Sequence, residues 1–80
     1  MKLISTHNIV DTFQIQEGVS FQVLENEKFV TINKNGSVYS HCVKPYHEDD
    51  KWLSYMHCRY IGLVELNDNE DWTTLVFEIR

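Results

Sequence analysis

The amino-acid sequence predicts a mostly β protein, a small antiparallel sheet or barrel of roughly five to six strands. Apolar and polar residues alternate with a period of two along several short segments, which is the pattern of strands with one buried face. Two of the 3 glycines, Gly18 and Gly36, lie in short turns between such segments. With 80 residues, the chain is expected to form one globular domain over residues 1–80, because two domains would each bury too little core.

The first predicted hairpin surrounds Gly18. Phe13 lies in an alternating run before the turn, and Phe21 lies in the alternating run that follows it. A three-residue loop over 16–18, with Gly18 in the left-handed conformation, places Phe13 directly opposite Phe21. This register keeps the apolar residues of both strands on one face, whereas a two-residue loop would set Ile15 opposite a serine.

The second predicted hairpin surrounds the Asn-Gly pair that ends at Gly36. A three-residue loop over 34–36 sets Ile32 opposite Val38 and again keeps the apolar residues on one face. A two-residue type I′ turn is the alternative for an Asn-Gly pair, and it would set Ile32 opposite Tyr39. The apolar pattern favours the three-residue loop.

A four-residue loop over 25–28 joins the two hairpins in this prediction and pairs Val23 with Val30. The result is a four-stranded antiparallel meander over residues 10–43 with one apolar face. That predicted core face comprises Phe13, Ile15, Val19, Phe21, Val23, Val30, Ile32, Val38 and Cys42.

The C-terminal half is expected to complete the sheet. Residues 44–51 are polar and predict a loop, and residues 52–66 predict strand. The alternative for this region is an α+β fold with one helix near 48–59, because acidic residues favour the first turn of a helix. Residues 67–71 predict a turn, and residues 72–80 predict a final strand whose alternate apolar residues face one way.

Charge divides the chain into two unequal halves. Residues 1–44 carry four basic and four acidic residues, whereas residues 45–80 carry three basic and eight acidic residues, so the second half holds the whole formal net charge of −5. Direct nucleic-acid binding would need clustered Lys and Arg, and we expect none. The rings of Phe29 and Tyr39 are accordingly expected to be covered by the C-terminal half rather than to stack on bases. An acidic surface instead suits a protein partner with a basic surface.

The sequence hypothesis for function is a non-catalytic protein that binds or inhibits a basic, nucleic-acid-processing host protein through an acidic face. Small inhibitors encoded by phages and mobile elements, including anti-CRISPR-like inhibitors that mimic nucleic acid, have this size, this acidity and this lack of motifs. Exposed loops present charges at little desolvation cost. The predicted partner-binding residues lie in two such loops and are Glu48, Asp49, Asp50, Asp68, Glu70 and Asp71.

Two alternative functions remain open. A small zinc-binding module could draw on Cys42, His47, His57 and Cys58. Adjacent residues of a strand point to opposite faces, however, which separates the members of each His-Cys pair. Packing of the thiols in the core, with no metal bound, is therefore the preferred interpretation. The other alternative is a structural subunit of a homo-oligomer, and a homodimer is also compatible with an inhibitor.

The sequence shows no motif for catalysis. It contains no Gly-rich phosphate loop, nucleophile elbow or HExxH zinc motif, and Cys42 falls on the predicted core face, where a thiol is unreactive. We therefore expect no enzyme activity and no cofactor. No apolar run approaches the roughly 18 residues that cross a bilayer, and the first residues turn polar too early for a signal peptide. These features predict a cytoplasmic protein without membrane contact.

Overall fold

A computed structural model describes residues 1–6 and 11–79 of the chain. In this part of the chain, nine strands and a 3₁₀ turn at Trp72–Thr74 form the secondary structure. The strands are β1 (Lys2–Thr6), β2 (Asp11–Gln16), β3 (Val19–Val23), β4 (Phe29–Ile32), β5 (Ser37–His41), β6 (Tyr46–Glu48), β7 (Lys51–Leu53), β8 (Cys58–Glu65) and β9 (Val76–Glu78). The predicted mostly β fold class is confirmed.

The described strands form three antiparallel sheets. The largest has five strands in the order β1-β8-β5-β4-β9, and the hairpins β2–β3 and β6–β7 form the other two. Within the five-stranded sheet, only β4 and β5 are both consecutive in the chain and adjacent in space. The other neighbours are brought together from distant parts of the sequence, and these long-range pairings hold the N-terminal and C-terminal strands against the centre.

The first predicted turn is confirmed at its glycine and in the Phe13–Phe21 pair, but not in its loop length. Gly18 has a φ of 78°, in the left-handed region that the bulged hairpin loop requires. Phe13 lies opposite Phe21, which keeps both rings on the inner face of the hairpin. The predicted three-residue loop over 16–18 is wrong by one residue, because Gln16 still belongs to β2 and lies opposite Val19. A β-bulge between Gln14 and Gln16 takes up the extra residue, so the rest of the ladder keeps the expected register.

The second predicted turn is also confirmed. Gly36 has a φ of 90°, and Ile32 lies opposite Val38. Gly36 also approaches another strand closely, because its carbonyl oxygen accepts the N–H of Val64 at 2.9 Å. A Cβ at this position would overlap the Val64 carbonyl oxygen, so glycine is required here for contact as well as for backbone conformation.

The predicted pairing between the two hairpins is wrong. Val30 lies opposite Ser40 on one side and Phe77 on the other, not opposite Val23. The meander expected over residues 10–43 is therefore divided between two sheets, and β9 takes the place beside β4 that β3 was expected to fill. Dividing the strands in this way lets two apolar faces pack against each other instead of leaving one face of a single sheet uncovered.

A buried residue in the loop over 25–28, Glu27, accounts for the separation of β3 and β4 into different sheets. The side chain of Glu27 is 5% exposed, and it accepts hydrogen bonds from the Arg59 guanidinium at 2.8 and 3.0 Å. The Leu24 N–H donates to the same carboxylate at 2.6 Å, and the Ser40 hydroxyl also donates to it. The loop thus crosses from one sheet to the other with Glu27 pointing inward, rather than turning back at the surface.

The main core lies between the β2–β3 hairpin and the five-stranded sheet. Its buried members are Val19, Phe21, Val23, Val30, Ile32, Val38, Ile61 and Val64. Partly buried apolar residues pack around it, including Phe13, Ile15, Leu75, Phe77 and Ile79. Cys42 is only half-buried and lies outside this cluster, which corrects its predicted place on the core face. The reason is that β5 ends one residue before it, so the alternation no longer applies.

The alternative helix near 48–59 is wrong, since this region contains the end of β6, all of β7, the start of β8 and the turns between them. A helical stripe would have buried Tyr55 and Met56, whereas both are exposed. The predicted loop over 44–51 contains β6 and the turn of a hairpin, and the predicted strand over 72–80 begins with the 3₁₀ turn. Within the described residues, no helix has the length and apolarity that a bilayer span needs.

The face of the large sheet that lies opposite the main core holds a buried imidazole. The ring nitrogens of His41 are 2.7 Å from the Thr31 hydroxyl and 3.0 Å from the Ser54 hydroxyl. Ser54 directly follows β7, so these hydrogen bonds fasten the β6–β7 hairpin over this face. Phe29 and Tyr39 share the face with His41 and are half-buried. The C-terminal half therefore covers part of this face, as the sequence suggested.

Candidate functional site

Three of the six predicted partner-binding acids lie at the turn of the β6–β7 hairpin. Glu48 ends β6 opposite Lys51, and Asp49 and Asp50 form the two-residue turn between them. Asp49 has a φ of 56°, in the left-handed region that Asp and Asn tolerate better than most side chains. The acidic run therefore reverses the chain between two strands, which is why it does not begin a helix.

The β6–β7 hairpin is fastened to the five-stranded sheet by hydrogen bonds and a buried indole ring. The Asn33 amide oxygen accepts the Trp52 N–H at 2.7 Å, and the Asp50 carbonyl oxygen accepts the Lys34 N–H at 3.3 Å. The Trp52 side chain is 6% exposed, and its indole N–H donates to the Trp72 carbonyl oxygen at 3.2 Å. The acidic turn thus projects from a fixed base.

The other three acids lie in the loop between β8 and the 3₁₀ turn, where two of them hold the loop in place. Asp71 caps the 3₁₀ turn by accepting the Thr73 N–H at 3.0 Å and the Thr73 hydroxyl at 2.6 Å. Glu70 accepts the Asn67 N–H at 3.0 Å and pairs with the Met1 amino group at 2.9 Å. These interactions hold the pKa of each carboxyl below its usual value.

An aromatic junction, formed by His47, Trp52 and Trp72, joins the two acidic loops at their bases. The His47 ring packs edge-on against both indoles, at centroid distances of 5.1 and 5.6 Å, and the indoles are 6.4 Å apart. Asp71 immediately precedes Trp72. Besides its hydrogen bonds to Thr73, the attraction of His47 lowers the pKa of Asp71. Sequence reasoning left open whether the two loops meet, and this junction brings them together.

The six acids differ in how much of their charge is available to a partner. Glu48, Asp49 and Asp68 are exposed, and in the part of the chain that the structure describes no ion pair or hydrogen bond engages their carboxylates. Asp50 lies 3.6 Å from the Lys34 ammonium, but both groups are exposed and such a pair contributes little. The available charge is therefore concentrated at 48–50 and at Asp68.

A groove of about 690 Å³ opens between the acidic turn and the turn that joins β4 to β5. Asp49 and Asp50 line it, but Lys34 and Lys51 line it as well, together with the half-buried ring of Tyr39. Acidic and basic charges balance inside the groove, so it does not select a ligand by charge. We therefore assign the candidate site to the projecting acidic loops rather than to the groove.

The candidate zinc ligands gain no support from the geometry. Among the described residues, no three or more His, Cys, Asp and Glu side chains are grouped so that they could hold a metal ion. His47 belongs to the aromatic junction, and the Asn26 amide group donates a long hydrogen bond of 3.6 Å to the Cys42 sulfur. Cys42 and Cys58 are both free and half-buried. The prediction that these thiols pack in the core, with Cys42 buried, is therefore wrong.

Sequence reasoning missed two buried ionisable side chains, Glu27 and His41. Burial alone would raise the pKa of Glu27, but the hydrogen bonds from Arg59, Leu24 and Ser40 hold it below its usual value. The second group is His41, whose pKa is lowered to about 4 by burial. Glu27 falls in a polar segment of the sequence, and His41 falls on the face opposite the main core. Neither residue has a local spacing that signals a partner far along the chain.

No protein-family model, curated protein or solved structure matches this chain. The feature that distinguishes the molecule is a pair of acidic loops on fixed bases, joined by an aromatic junction, in the half of the chain that carries the whole net charge.

Proposed function

We propose that this protein is a non-catalytic binding or inhibitory protein whose acidic loops dock on the basic surface of a nucleic-acid-processing protein. The observation that supports this most strongly is the junction of His47, Trp52 and Trp72, which holds the two acidic loops together. Loops whose bases are already fixed lose little conformational freedom on binding, so more of the attraction contributes to affinity.

The excess of acidic charge in the second half of the chain also supports this proposal. Residues 45–80 carry eight acidic and three basic residues, and the carboxylates of Glu48, Asp49 and Asp68 are not neutralised within the described chain. Opposed charge patches steer two proteins together and accelerate their association, and they disfavour partners of like charge. The expected partner is therefore a protein with a basic surface, and direct contact with nucleic acid is disfavoured.

A partner of this kind uses its basic surface to hold nucleic acid, so the acidic loops would compete with nucleic acid for that surface. This is the mode of anti-CRISPR-like inhibitors and other anti-defence proteins encoded by phages and mobile elements. We place the protein in the cytoplasm, acting without a cofactor, without catalysis and without membrane contact. A homodimer would present both acidic loops twice and is compatible with this mode.

Two matched variants test the proposal. The loop variant neutralises the three unengaged acids with Glu48→Gln, Asp49→Asn and Asp68→Asn. Asparagine is chosen at position 49 because it tolerates the left-handed backbone there. The control variant neutralises the same number of exposed acids outside the two loops, with Glu17→Gln, Glu25→Gln and Glu78→Gln.

The experiment is capture of the partner by each immobilised protein from the cells that express the chain, followed by identification of what is retained. We expect the wild type and the control variant to retain the same basic, nucleic-acid-binding protein, and the loop variant to retain roughly tenfold less. Adding nucleic acid should release the partner. Equal retention by the loop variant, or retention of nucleic acid in place of a protein, would contradict the proposal.

A further inference from the structure

We infer that the outward face of the β6–β7 hairpin recognises arginine side chains of a basic protein partner, through the adjoining rings of Tyr46 and Tyr55 beside the acidic turn. This inference rests on the proposed function and deepens it, because it names the side chain that is recognised and the surface that recognises it.

The first observation is the exposure of large apolar groups in one short segment. Tyr55 is 90% exposed, Met56 is 56% exposed and Tyr46 is 38% exposed. The rings of Tyr46 and Tyr55 lie 5.4 Å apart between centroids, tilted by 41°. Single exposed apolar residues are common on protein surfaces, but adjoining ones form a patch, and Tyr is enriched where protein interfaces concentrate their binding energy.

The second observation is that the two faces of the hairpin carry different side chains. His47 and Trp52 lie opposite each other and pack into the aromatic junction. Tyr46 and Glu48 occupy the alternate positions of β6, so they share the other face. The buried Trp52 fixes one face to the rest of the molecule, and the other face carries an aromatic ring and a carboxylate side by side.

The third observation is charge. The hairpin segment over 46–56 contains Glu48, Asp49 and Asp50 against Lys51, so it carries excess negative charge beside the tyrosine pair. A guanidinium can stack on an aromatic ring while it donates to a carboxylate, whereas an ammonium makes the charge contact without the planar stacking. Because like charges repel, the excess of acids disfavours binding of a nucleic-acid strand or of a second copy of this acidic chain at this surface.

The test measures how tightly the 80-residue chain binds two peptides of equal length, oligo-arginine and oligo-lysine, at low salt. We expect the wild type to bind oligo-arginine about fivefold more tightly than oligo-lysine. The double variant Tyr46→Ala, Tyr55→Ala should lose this preference. Tyr55→Ala alone should lose part of it without a risk to folding, because the ring is almost fully exposed. Tyr60→Ala is the matched control: Tyr60 is as exposed as Tyr46 and also packs on another tyrosine, Tyr39, at 5.6 Å.

The loop variant separates this inference from the proposed function. If it binds both peptides about as tightly as the wild type does, the acidic loops are not the binding surface and the proposed function is wrong. If the loop variant binds both peptides more weakly while the tyrosine variants keep the arginine preference, the acidic loops bind basic peptides as proposed. The inference about the tyrosine pair is then overturned. Tyrosine-dependent binding of single-stranded DNA, or tyrosine-dependent self-association, would likewise overturn it.

Discussion

Acidification from pH 7 to pH 5 is expected to destabilise the fold through one buried imidazole, that of His41. The ring is fully buried and is hydrogen-bonded to the hydroxyls of Thr31 and Ser54. Burial lowers its pKa from 6.5 to about 4, and the attraction of the Glu27 carboxylate offsets only part of that effect. The folded protein therefore keeps His41 neutral at pH values where an unfolded histidine is protonated.

The sign and size of the effect follow from proton linkage. Between pH 6.5 and about 4, the unfolded chain binds a proton at this position that the folded chain does not, so stability rises with pH and is lost as the pH falls. The full difference corresponds to about 3 kcal/mol, of which about 2 kcal/mol is lost between pH 7 and pH 5. The carboxyls with lowered pKa values have ordinary values at or below 4.5, so their contributions are lost mainly below this interval.

Urea unfolding followed by tryptophan fluorescence at several pH values measures the effect. The wild type and His57→Gln, a change at an exposed histidine, should lose about 2 kcal/mol between pH 7 and pH 5. His41→Gln should be less stable at pH 7 but nearly independent of pH over this interval. An NMR titration of the wild-type imidazole signals provides a measurement that needs no variant. Equal pH dependence in His41→Gln and the wild type, or titration of His41 near 6.5, would refute the reasoning.

Two further predictions concern folding and are checked by the same urea experiment. Gly18→Ala should lower the free energy of unfolding by about 1 kcal/mol, because alanine disfavours the left-handed backbone at this position. Gly36→Ala should lower it by more than about 2 kcal/mol, because the added Cβ also overlaps the Val64 carbonyl oxygen. Equal losses of stability in the two variants would contradict the close approach of Gly36 to the Val64 carbonyl oxygen. Arg59→Met leaves the Glu27 carboxylate buried without its counter-charge and should cost about 3 kcal/mol, part of which the added change Glu27→Gln should restore. A cost below about 0.5 kcal/mol, typical of surface substitutions, would contradict the buried pair.

Local features of the fold were predictable because their causes are local. The turns at Gly18 and Gly36 follow from a glycine next to alternating residues, and the facing pair of Phe13 and Phe21 follows from the same alternation. The partner of β4 could not be predicted in this way. Val30 is apolar whether it faces Val23 or Phe77, so the pattern is satisfied by either sheet arrangement.

The candidate site was predictable in position but not in detail. Acidic runs in polar segments predicted exposed loops, and the structure places Glu48, Asp49 and Asp68 at the surface. The engagement of Glu70 depends on the amino group of Met1, which lies far away in sequence. The aromatic junction depends on packing between segments that are 20 residues apart, as the hydrogen bond from Trp52 to the Trp72 carbonyl shows. No local spacing encodes such contacts.

The association rate constant of the captured partner, measured as a function of salt, tests the central claim most directly. At low salt we expect the wild type and the control variant to associate about tenfold faster than the loop variant. The difference should shrink as salt shortens the range of the charges to a few ångströms, and the dissociation rates should change much less. Equal association rates and equal salt dependence for the wild type and the loop variant would show that the two acidic loops do not guide binding.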